Sequence, residues 1–242
     1  SLSSIYSMDI GSQNIRIGAS IPGKAVDIKL NDRDQRSTPN YLAFPLNEKL
    51  DKLDKVNWMI GADAEKIYMR NTTHGMANPF SRLWNPSENY FNDLHPSVTA
   101  AIALYQHFKT TKLKNDKLTL IVPTYASPQY RQLLFLTAKI AQFKSTSILD
   151  SSTAVATYYS VEKIKKGSRK PITVLFIDIG AENADCSLWK YKPLGEKVFM
   201  ELLQYRHSSQ IGGNYVDKLI MEQVEPHLGR PLVGSERYIV NS

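Results

Sequence analysis

Cysteine is nearly absent from this sequence, with Cys186 the single example among 242 residues. One cysteine cannot form an internal disulfide, and it excludes a structural zinc site built from several cysteines. It does not determine the redox compartment, because a large domain can fold in an oxidising compartment without disulfides. Long apolar runs are missing too, since no stretch approaches the roughly 20 residues of a membrane-spanning helix. We therefore expect a soluble globular chain without a membrane partner.

Two common catalytic patterns are also missing. The five histidines are isolated in the sequence and form no H-E-x-x-H zinc motif: His74, His95, His107, His207 and His227. No G-x-S-x-G turn of the serine hydrolases occurs. The sequence thus gives no support to a zinc peptidase or to a serine hydrolase.

Basic residues exceed acidic ones, 30 against 23, and the formal net charge is +7. Two groups stand out: Lys109, Lys112, Lys114 and Lys117, then Lys163, Lys165, Lys166, Arg169 and Lys170. Aromatic residues for base stacking do not interrupt either group, which favours solvated connections between elements. We expect no nucleic-acid partner, although a non-enzymatic basic module that binds nucleic acid stays open as an alternative.

Apolar segments typical of strands alternate with segments typical of helices, which predicts an α/β fold. Strands are predicted at residues 5–8, 15–19, 25–30, 41–44, 118–122, 146–149, 172–177 and 185–189. Helices are predicted at residues 62–70, 97–108, 129–141, 153–161 and 213–224. A buried stripe is expected on the helix at 129–141: Leu133, Leu134, Leu136, Ile140 and Ala141.

One pattern occurs twice, far apart in the chain. An apolar strand runs into Asp9-Ile10-Gly11, and another runs into Asp178-Ile179-Gly180. A polar turn and a second strand follow each copy, which indicates two similar lobes. A glycine at such a tip lets backbone N–H groups approach phosphate oxygens, and the aspartate can orient a hydrated Mg²⁺. A third glycine turn, Gly212-Gly213, precedes a predicted helix whose N-terminus would suit another phosphate.

These motifs resemble the nucleotide-binding domain of DnaK-type (seventy-kilodalton heat-shock) chaperones, within the actin-like ATPase superfamily. Asp9-Ile10-Gly11-Ser12-Gln13 resembles the first phosphate loop of that family, D-L-G-T-T. Residues 31–44 resemble N-D-x-G-x-R-T-T-P-S-Y-V-A-F, and residues 121–125 resemble V-P-A-Y-F. Asp178-Ile179-Gly180 and Ile211-Gly212-Gly213 match the second loop and a later L-G-G. The resemblance runs from about residue 5 to residue 224.

The resemblance implies a two-lobe actin-like ATPase (ribonuclease-H-like) fold, with the first lobe complete or slightly reduced and the second partial. The implied subdomains are a first-lobe core at 1–30 and 96–168, an outer subdomain at 31–95, and a partial second-lobe core at 169–242.

The resemblance further implies binding of ATP or ADP with Mg²⁺. The nucleotide-binding residues would be Asp9, Gly11, Ser12, Gln13, Asp178, Gly180, Gly212 and Gly213. Asp9 and Asp178 would hold Mg²⁺ through water and would be catalytic if the domain is active. Pro123 and Arg131 would couple the lobes.

Three departures from the family pattern bear on catalysis. Ser81 occupies the place of the catalytic lysine, and Ser151 occupies that of a glutamate. The second loop, G-G-G-T-F-D in the family, reads Gly180-Ala181-Glu182-Asn183-Ala184-Asp185, which brings a negative charge toward the phosphates. Since phosphoryl transfer depends on positioning and charge neutralisation, we expect weak or absent hydrolysis. The alternative is an active, slow ATPase in which Arg82 or another cation replaces the lysine.

Within the family, residues 23–31 and the Gly-Ser-Gln turn look most like the large ER-lumenal glucose-regulated chaperones. That likeness implies an ER-lumenal protein, with a cytoplasmic relative as the alternative, and a glycan at Asn71 in Asn71-Thr72-Thr73. It also implies other chaperones and unfolded client proteins as partners. The predicted function is a nucleotide-binding-domain fragment of a divergent chaperone that assists folding or acts on a partner chaperone.

Overall fold

The structure is a computed structural model that describes residues 4–111, 117–164 and 170–231. The chain divides into two compact units, Ser1–Asp150 and Ser151–Ser242. Both units contain helices and strands, so the predicted α/β fold class is confirmed.

The first unit is built around a six-stranded sheet and a three-stranded sheet. Its strands are β1 (Ile5–Ile10), β2 (Asn14–Ser20), β3 (Asp27–Ile28), β4 (Thr38–Pro39), β5 (Tyr41–Ala43), β6 (Met59–Ile60), β7 (Gly75–Ala77), β8 (Lys117–Val122) and β9 (Ser145–Asp150). The larger sheet has the order β3-β2-β1-β8-β9, with β4 also paired to β2. The pairs β1–β8 and β8–β9 are parallel, while β1 and β2 form an antiparallel hairpin. The smaller sheet, β6-β5-β7, is antiparallel.

Local signals explain where the helices of the first unit begin. They are α1 (Gly61–Arg70), α2 (Pro96–Thr110) and α3 (Pro128–Ile140). Helices α2 and α3 both begin with proline, whose fixed φ suits the first helical position. The hydroxyl of Ser127 accepts a hydrogen bond from the backbone N–H of Tyr130 and caps α3.

The core of the first unit lies between its large sheet and helices α2 and α3. Met8, Leu104, Phe108, Leu120 and Leu134 are all fully buried there. Alternate residues of β8 are buried, as expected for a strand with one face on the core. This packing holds the carboxyl end of β1 in place.

The second unit is an antiparallel meander with two helices. Its elements are α4 (Ser151–Glu162), β10 (Ile172–Ile179), β11 (Ala184–Leu194), β12 (Lys197–Ser208) and α5 (Gly213–Leu228). Tyr191 is fully buried, and its Oη donates a hydrogen bond to the carbonyl oxygen of Ala156, 3.0 Å away, which joins β11 to α4. Gly229 ends α5 with φ +64°, the left-handed conformation that glycine tolerates at a helix C-terminus.

Several boundaries differ from those predicted. The strand expected at 25–30 is only Asp27–Ile28, and the long strand β12 was not predicted at all. The predicted subdomains, in which residues 151–168 belong to the first-lobe core, stay a prediction. No helix among the described residues is both long enough and apolar enough to cross a membrane.

The buried stripe predicted on α3 is wrong in part. Leu134 is fully buried and Leu133 packs against the core, but Leu136 and Ile140 are each 43% exposed. The buried residues of the helix are Tyr130, Leu134, Thr137 and Ala138, and Ala141 follows at its end. The stripe is rotated because the ring of Tyr130 and the small Thr137 and Ala138 face the core.

Candidate functional site

The first Asp-Ile-Gly turn connects β1 to β2. The backbone N–H of Gly11 donates a hydrogen bond to the carbonyl oxygen of Asn14, 3.0 Å away, and closes the turn. A Cβ atom on Gly11 would lie 2.5 Å from that oxygen, so a side chain cannot be placed there without opening the turn. Glycine is therefore required by the backbone itself at this position.

Asp9 lies at the end of β1, opposite Arg16 on β2. Its Oδ2 is 3.8 Å from Nη1 of Arg16, and the two side chains are 52% and 53% exposed. Such a solvated pair is weak, and about half of the Asp9 side chain is exposed to solvent.

Asn40 binds both sides of this turn. Its Nδ2 donates to the carbonyl oxygen of Gly11, and its backbone N–H donates to that of Gln13, both at 2.8 Å. The peptide bonds of the described residues are trans, so the N–H of Ser12 is directed opposite to the Gly11 carbonyl. The turn thus has its carbonyl side on Asn40 and an N–H on the other side.

The second turn repeats this closure within the second unit. The backbone N–H of Gly180 donates to the carbonyl oxygen of Asn183 at 2.8 Å, and Asp178 lies opposite Asp185 in the β10–β11 register. A Cβ on Gly180 would meet that oxygen at 3.5 Å, an ordinary contact. The repeated Asp-Ile-Gly pattern therefore corresponds to the same hairpin closure in both copies. The second copy has room for a Cβ atom at its glycine, whereas the first does not.

The third glycine turn packs against the second. The N–H of Gly213 donates to the carbonyl oxygen of Gly180 at 3.0 Å, and that of Asn214 donates to Ala181 at 2.7 Å. A Cβ on Gly212 would be 2.7 Å from the Ala181 oxygen, which explains this glycine by close packing. The binding of nucleotide by Gly212 and Gly213 stays a prediction, but the Gly213 N–H already has an acceptor within the chain.

The two turns therefore have the same polarity. In each, the glycine carbonyl accepts a hydrogen bond from another element: the side chain of Asn40 in the first turn and the start of α5 in the second. The following N–H, of Ser12 or of Ala181, is directed to the opposite side. Each turn thus directs an N–H away from the element that binds its glycine carbonyl.

Ser81 begins the 3-10 turn Ser81–Trp84. Its Oγ donates to the carbonyl oxygen of Asn78 at 2.8 Å, and its N–H donates to Asn78 Oδ1 at 3.1 Å. The serine that stands where a lysine was expected is bonded into its own turn.

Arg82, the alternative cation, is also engaged locally. Its Nη1 donates to the carbonyl oxygen of Asn89 at 3.2 Å, and its Cζ lies 5.9 Å from the ring centre of Phe91. Burial lowers the pKa of Arg82. These contacts weigh against Arg82 as a substitute for the lysine.

Arg131 on α3 organises the segment that follows β8. Its Nη2 donates to Asp150 Oδ1 at 2.5 Å, and its Nε donates to the carbonyl oxygen of Ala126 at 3.0 Å. Pro123 directly follows β8, and its carbonyl oxygen accepts a hydrogen bond from the N–H of Ala126. The coupling role predicted for Pro123 and Arg131 stays a prediction.

The model of the family described as Hsp70 protein matches residues 96–230, more than half of the chain. The chain belongs to the Hsp70 family. Its identification as an Hsp70-type nucleotide-binding domain is confirmed, and proteins of this family bind nucleotide with Mg²⁺.

Two curated relatives support this membership over most of the chain. A heat shock protein homolog of Naumovozyma castellii is 24% identical over 91% of the chain and 36% of its own length. A heat shock protein homolog of the same description from Lachancea kluyveri is 23% identical over 90% of the chain and 34% of its own length. The chain thus spans about a third of the length of these relatives.

Some residues close to the glycine turns were not anticipated as site residues from the sequence. Asp185 Oδ1 accepts a hydrogen bond from Tyr205 Oη at 2.6 Å and lies 2.9 Å from His207 Nδ1. Asn40, which binds the first turn, and Asn78, which binds the side chain of Asn40, were also missed. Asn40 lies in the family-like segment 31–44, but neither asparagine matches a motif residue with an assigned role, and an asparagine beside a predicted strand is too common to single out.

The remaining predicted features are the glycan at Asn71, which stays a prediction, the metal ion and the two basic groups. Asn71 is exposed, and its Oδ1 accepts hydrogen bonds from the N–H and Oγ1 of Thr73. Within the described ranges, no group of three or more His, Cys, Asp or Glu residues could hold a metal ion. Five members of the basic groups lie outside the described residues: Lys112, Lys114, Lys165, Lys166 and Arg169.

Proposed function

We propose that this Hsp70-type domain binds a magnesium–nucleotide complex, that each of its two glycine turns is suited to contact phosphate, and that the domain hydrolyses ATP slowly at most. The shared polarity of the two turns carries this proposal. In both, the glycine carbonyl is bonded within the chain and the next N–H is directed away from that bond. Successive peptide N–H groups in a turn form a concavity that favours phosphate oxygens.

The residues of the first turn fit a phosphate with its magnesium ion. Gly11 leaves the backbone without a side chain, and the half-exposed carboxylate of Asp9 supplies oxygen atoms beside it. Mg²⁺ keeps several water molecules and needs one or two carboxylates beside the phosphates. Bound there, the ion would neutralise phosphate charge, while Asp9 would orient its water molecules.

Slow hydrolysis is expected because a positive charge is missing at Ser81 and a negative charge is added at Glu182. The Ser81 side chain is neutral and donates to the Asn78 carbonyl, so it cannot compensate phosphate charge as a lysine would. Glu182 adds a negative charge to the second turn. Since the transition state of phosphoryl transfer needs positive charge and close positioning, both changes reduce turnover more than binding.

We also propose a role for the whole protein. The relatives are about three times as long as the part of them that this chain matches. It would act as a heat-shock-type chaperone that assists client folding or acts on a partner chaperone. The ER lumen is the proposed compartment. What supports it is the likeness of residues 23–31 and the exposed Asn71-Thr72-Thr73 sequence.

Isothermal titration of the whole protein with MgADP and MgATP, together with a phosphate-release assay, tests the nucleotide proposal. We expect both nucleotides to bind, with phosphate release slower than that of a DnaK-type protein that retains the lysine and the glutamate. Asp9→Asn should weaken MgADP binding by about tenfold or more, because a hydrogen bond to a charged group contributes about 1.5–3 kcal/mol.

Asp54→Asn is the matched control, since it makes the same charge change in the exposed 3-10 turn Leu53–Lys55. It should leave the affinity unchanged. Absence of binding by either nucleotide would overturn the proposal, and salt-sensitive binding to single-stranded nucleic acid would favour the basic-module alternative. If the protein releases phosphate as fast as the reference protein and Asp9→Asn abolishes this release, the slow-hydrolysis part of the proposal is wrong, while the nucleotide-binding part stands.

A further inference from the structure

Asn40 lies at the junction of the two sheets of the first unit. Pro39 pairs with Asn14 in the large sheet, and Tyr41 pairs with Ala77 in the small one. Asn40 continues both ladders, because its N–H donates to Gln13 and its carbonyl oxygen accepts from the N–H of Asn78 at 2.7 Å. Its side chain is held between the first turn and the segment that carries Ser81.

The side chain of Asn40 uses two donors at once. Nδ2 donates to the carbonyl oxygen of Gly11 at 2.8 Å and to Asn78 Oδ1 at 3.1 Å. The direction of the amide is determined by Gly11, because a carbonyl oxygen can only accept. An amide nitrogen has the two hydrogens that this arrangement needs, whereas a serine hydroxyl has one.

The arrangement has an energetic cost. Asn40 is 1% exposed, and its Oδ1 has no hydrogen-bond partner among the described residues. A buried unpaired acceptor typically costs about 1–3 kcal/mol. A buried side-chain amide whose oxygen has no hydrogen-bond partner is poorly explained by stability alone. The Nδ2 group of Asn40, in contrast, has two acceptors.

In the second unit, the equivalent glycine carbonyl accepts a hydrogen bond from a different kind of donor. There the Gly180 carbonyl accepts from a backbone N–H at the start of α5, and no side-chain amide is involved in that bond. Two unrelated donors therefore bind the equivalent carbonyl in the two turns. Recurrence of the bond, without recurrence of the residue, indicates that the orientation of the turn is what matters.

We propose that Asn40 is a positioning residue of the first phosphate turn, which holds the Gly11 carbonyl away from the ligand and ties the turn to the Asn78–Ser81 segment. This inference rests on the proposed nucleotide function. Loss of the amide frees the peptide between Gly11 and Ser12 to rotate, and a rotated peptide presents an oxygen to the phosphate.

Asn40→Ser tests this proposal, with Asn31→Ser as its matched control. Asn31 is also buried, and its side-chain amide bonds to the backbone of Arg33, Gln35 and Ser37 and to Oγ1 of Thr38 on β4, none of which lies in the first turn. Both variants lose buried hydrogen bonds, so both should lower the melting temperature. Only Asn40→Ser should weaken MgADP binding to the whole protein, by about tenfold.

Hydrogen exchange of residues 11–14 without nucleotide provides a second measurement. Asn40→Ser should raise exchange there well above both the wild type and Asn31→Ser. Asn78→Gly is a milder variant, because Asn78 has φ +43° and glycine adopts that conformation readily. It removes one acceptor of Asn40 but keeps the Gly11 bond, so we expect a smaller increase.

The outcomes separate the two proposals. If the wild type binds MgADP and Asn40→Ser weakens binding no more than Asn31→Ser, the positioning role is wrong while the nucleotide function stands. The positioning role is also wrong if residues 11–14 exchange hydrogen at the wild-type rate in both Asn40→Ser and Asn78→Gly. This measurement applies even if Asn40→Ser is too unstable for titration. If the wild type binds neither nucleotide, the proposed function fails, and with it the phosphate part of this inference.

Discussion

His107 is a buried ionisable residue on α2. It is 2% exposed, and its Nε2 has no hydrogen-bond partner in the part of the chain that the structure describes. Burial lowers the pKa of His107 to about 3, because the charged imidazolium loses its hydration there. The folded state therefore holds this side chain in its neutral form.

The stability of the protein should consequently depend on pH through His107. The folded pKa lies below the ordinary value of 6.5, so between these values the unfolded chain binds the proton and the folded chain does not. The contribution of His107 does not reduce the free energy of unfolding above about pH 6.5. As the pH drops from there toward 3, protonation of His107 in the unfolded chain lowers that free energy by up to about 1.4 kcal/mol per pH unit. Urea unfolding of the wild type and of His107→Leu at a series of pH values measures this.

The difference between the two proteins isolates the histidine from the carboxylates. We expect His107→Leu to show a shallower loss of unfolding free energy below about pH 6.5. His227→Leu, at an exposed position of α5, should keep the wild-type slope. Parallel curves for wild type and His107→Leu would show that the imidazole is protonated or exposed in the folded state.

At the scale of elements, α3 shows how a helix chooses its buried face. Leu133, Leu134 and Leu136 are equally apolar, yet only Leu134 is fully buried. Tyr130 joins it one turn earlier and stacks on Trp84, with ring centres 4.1 Å apart. Burial also raises the pKa of Tyr130. Hydrophobicity alone could not rank these leucines, since all of them fit an apolar stripe of ordinary width.

Leu134→Ala and Leu136→Ala form a matched pair on α3. The first should lower the free energy of unfolding by about 2–5 kcal/mol, because it leaves a cavity in a packed core. The second should change it by about 0.5 kcal/mol or less, because the side chain is already 43% exposed. Chemical denaturation of both variants measures the difference, and equal losses would mean that Leu136 is covered in the folded protein.

The missed strand β12 illustrates a different limit at this scale. Its sequence, Lys197–Ser208, carries apolar residues on both faces, so the alternation that marks a half-buried strand is absent. The turn at Gly195, which has φ +60°, was the available signal for a hairpin with β11. Pairing with β11 then determines the length of β12.

At the scale of the molecule, the two units differ in how much apolar surface they bury within themselves. The first has a large contiguous core, whereas the core cluster of the second contains Ala156, Ile164, Trp189 and Tyr191. Helix α5 has no buried residue, and Ile177 and Ile179 of β10 are 63% and 64% exposed. The second unit is therefore held mainly by its strand ladders and by α4 on β11.

The proposed compartment is tested on the whole protein in cells. If it is the ER lumen, Asn71 should carry an N-linked glycan, and endoglycosidase treatment should increase the mobility of the protein on a gel. Asn71→Gln and Thr73→Ala should remove this shift, while Thr73→Ser should keep it because serine also satisfies the acceptor pattern. A wild-type mobility that the enzyme does not change would contradict both the glycan and its support for the compartment.

The sequence by itself determined the α/β class, the two matched turns and the membership of the DnaK-type family. These depend on residues that are close in the chain: Gly11 and Asn14, or Gly180 and Asn183, close their turns by a local hydrogen bond. Only the tertiary structure decided which element binds each turn. Asn40 reaches Gly11 across 29 residues and Asn78 across 38, and the pairing of β4 with β2 and of β5 with β7, which are distant in the chain, brings them together.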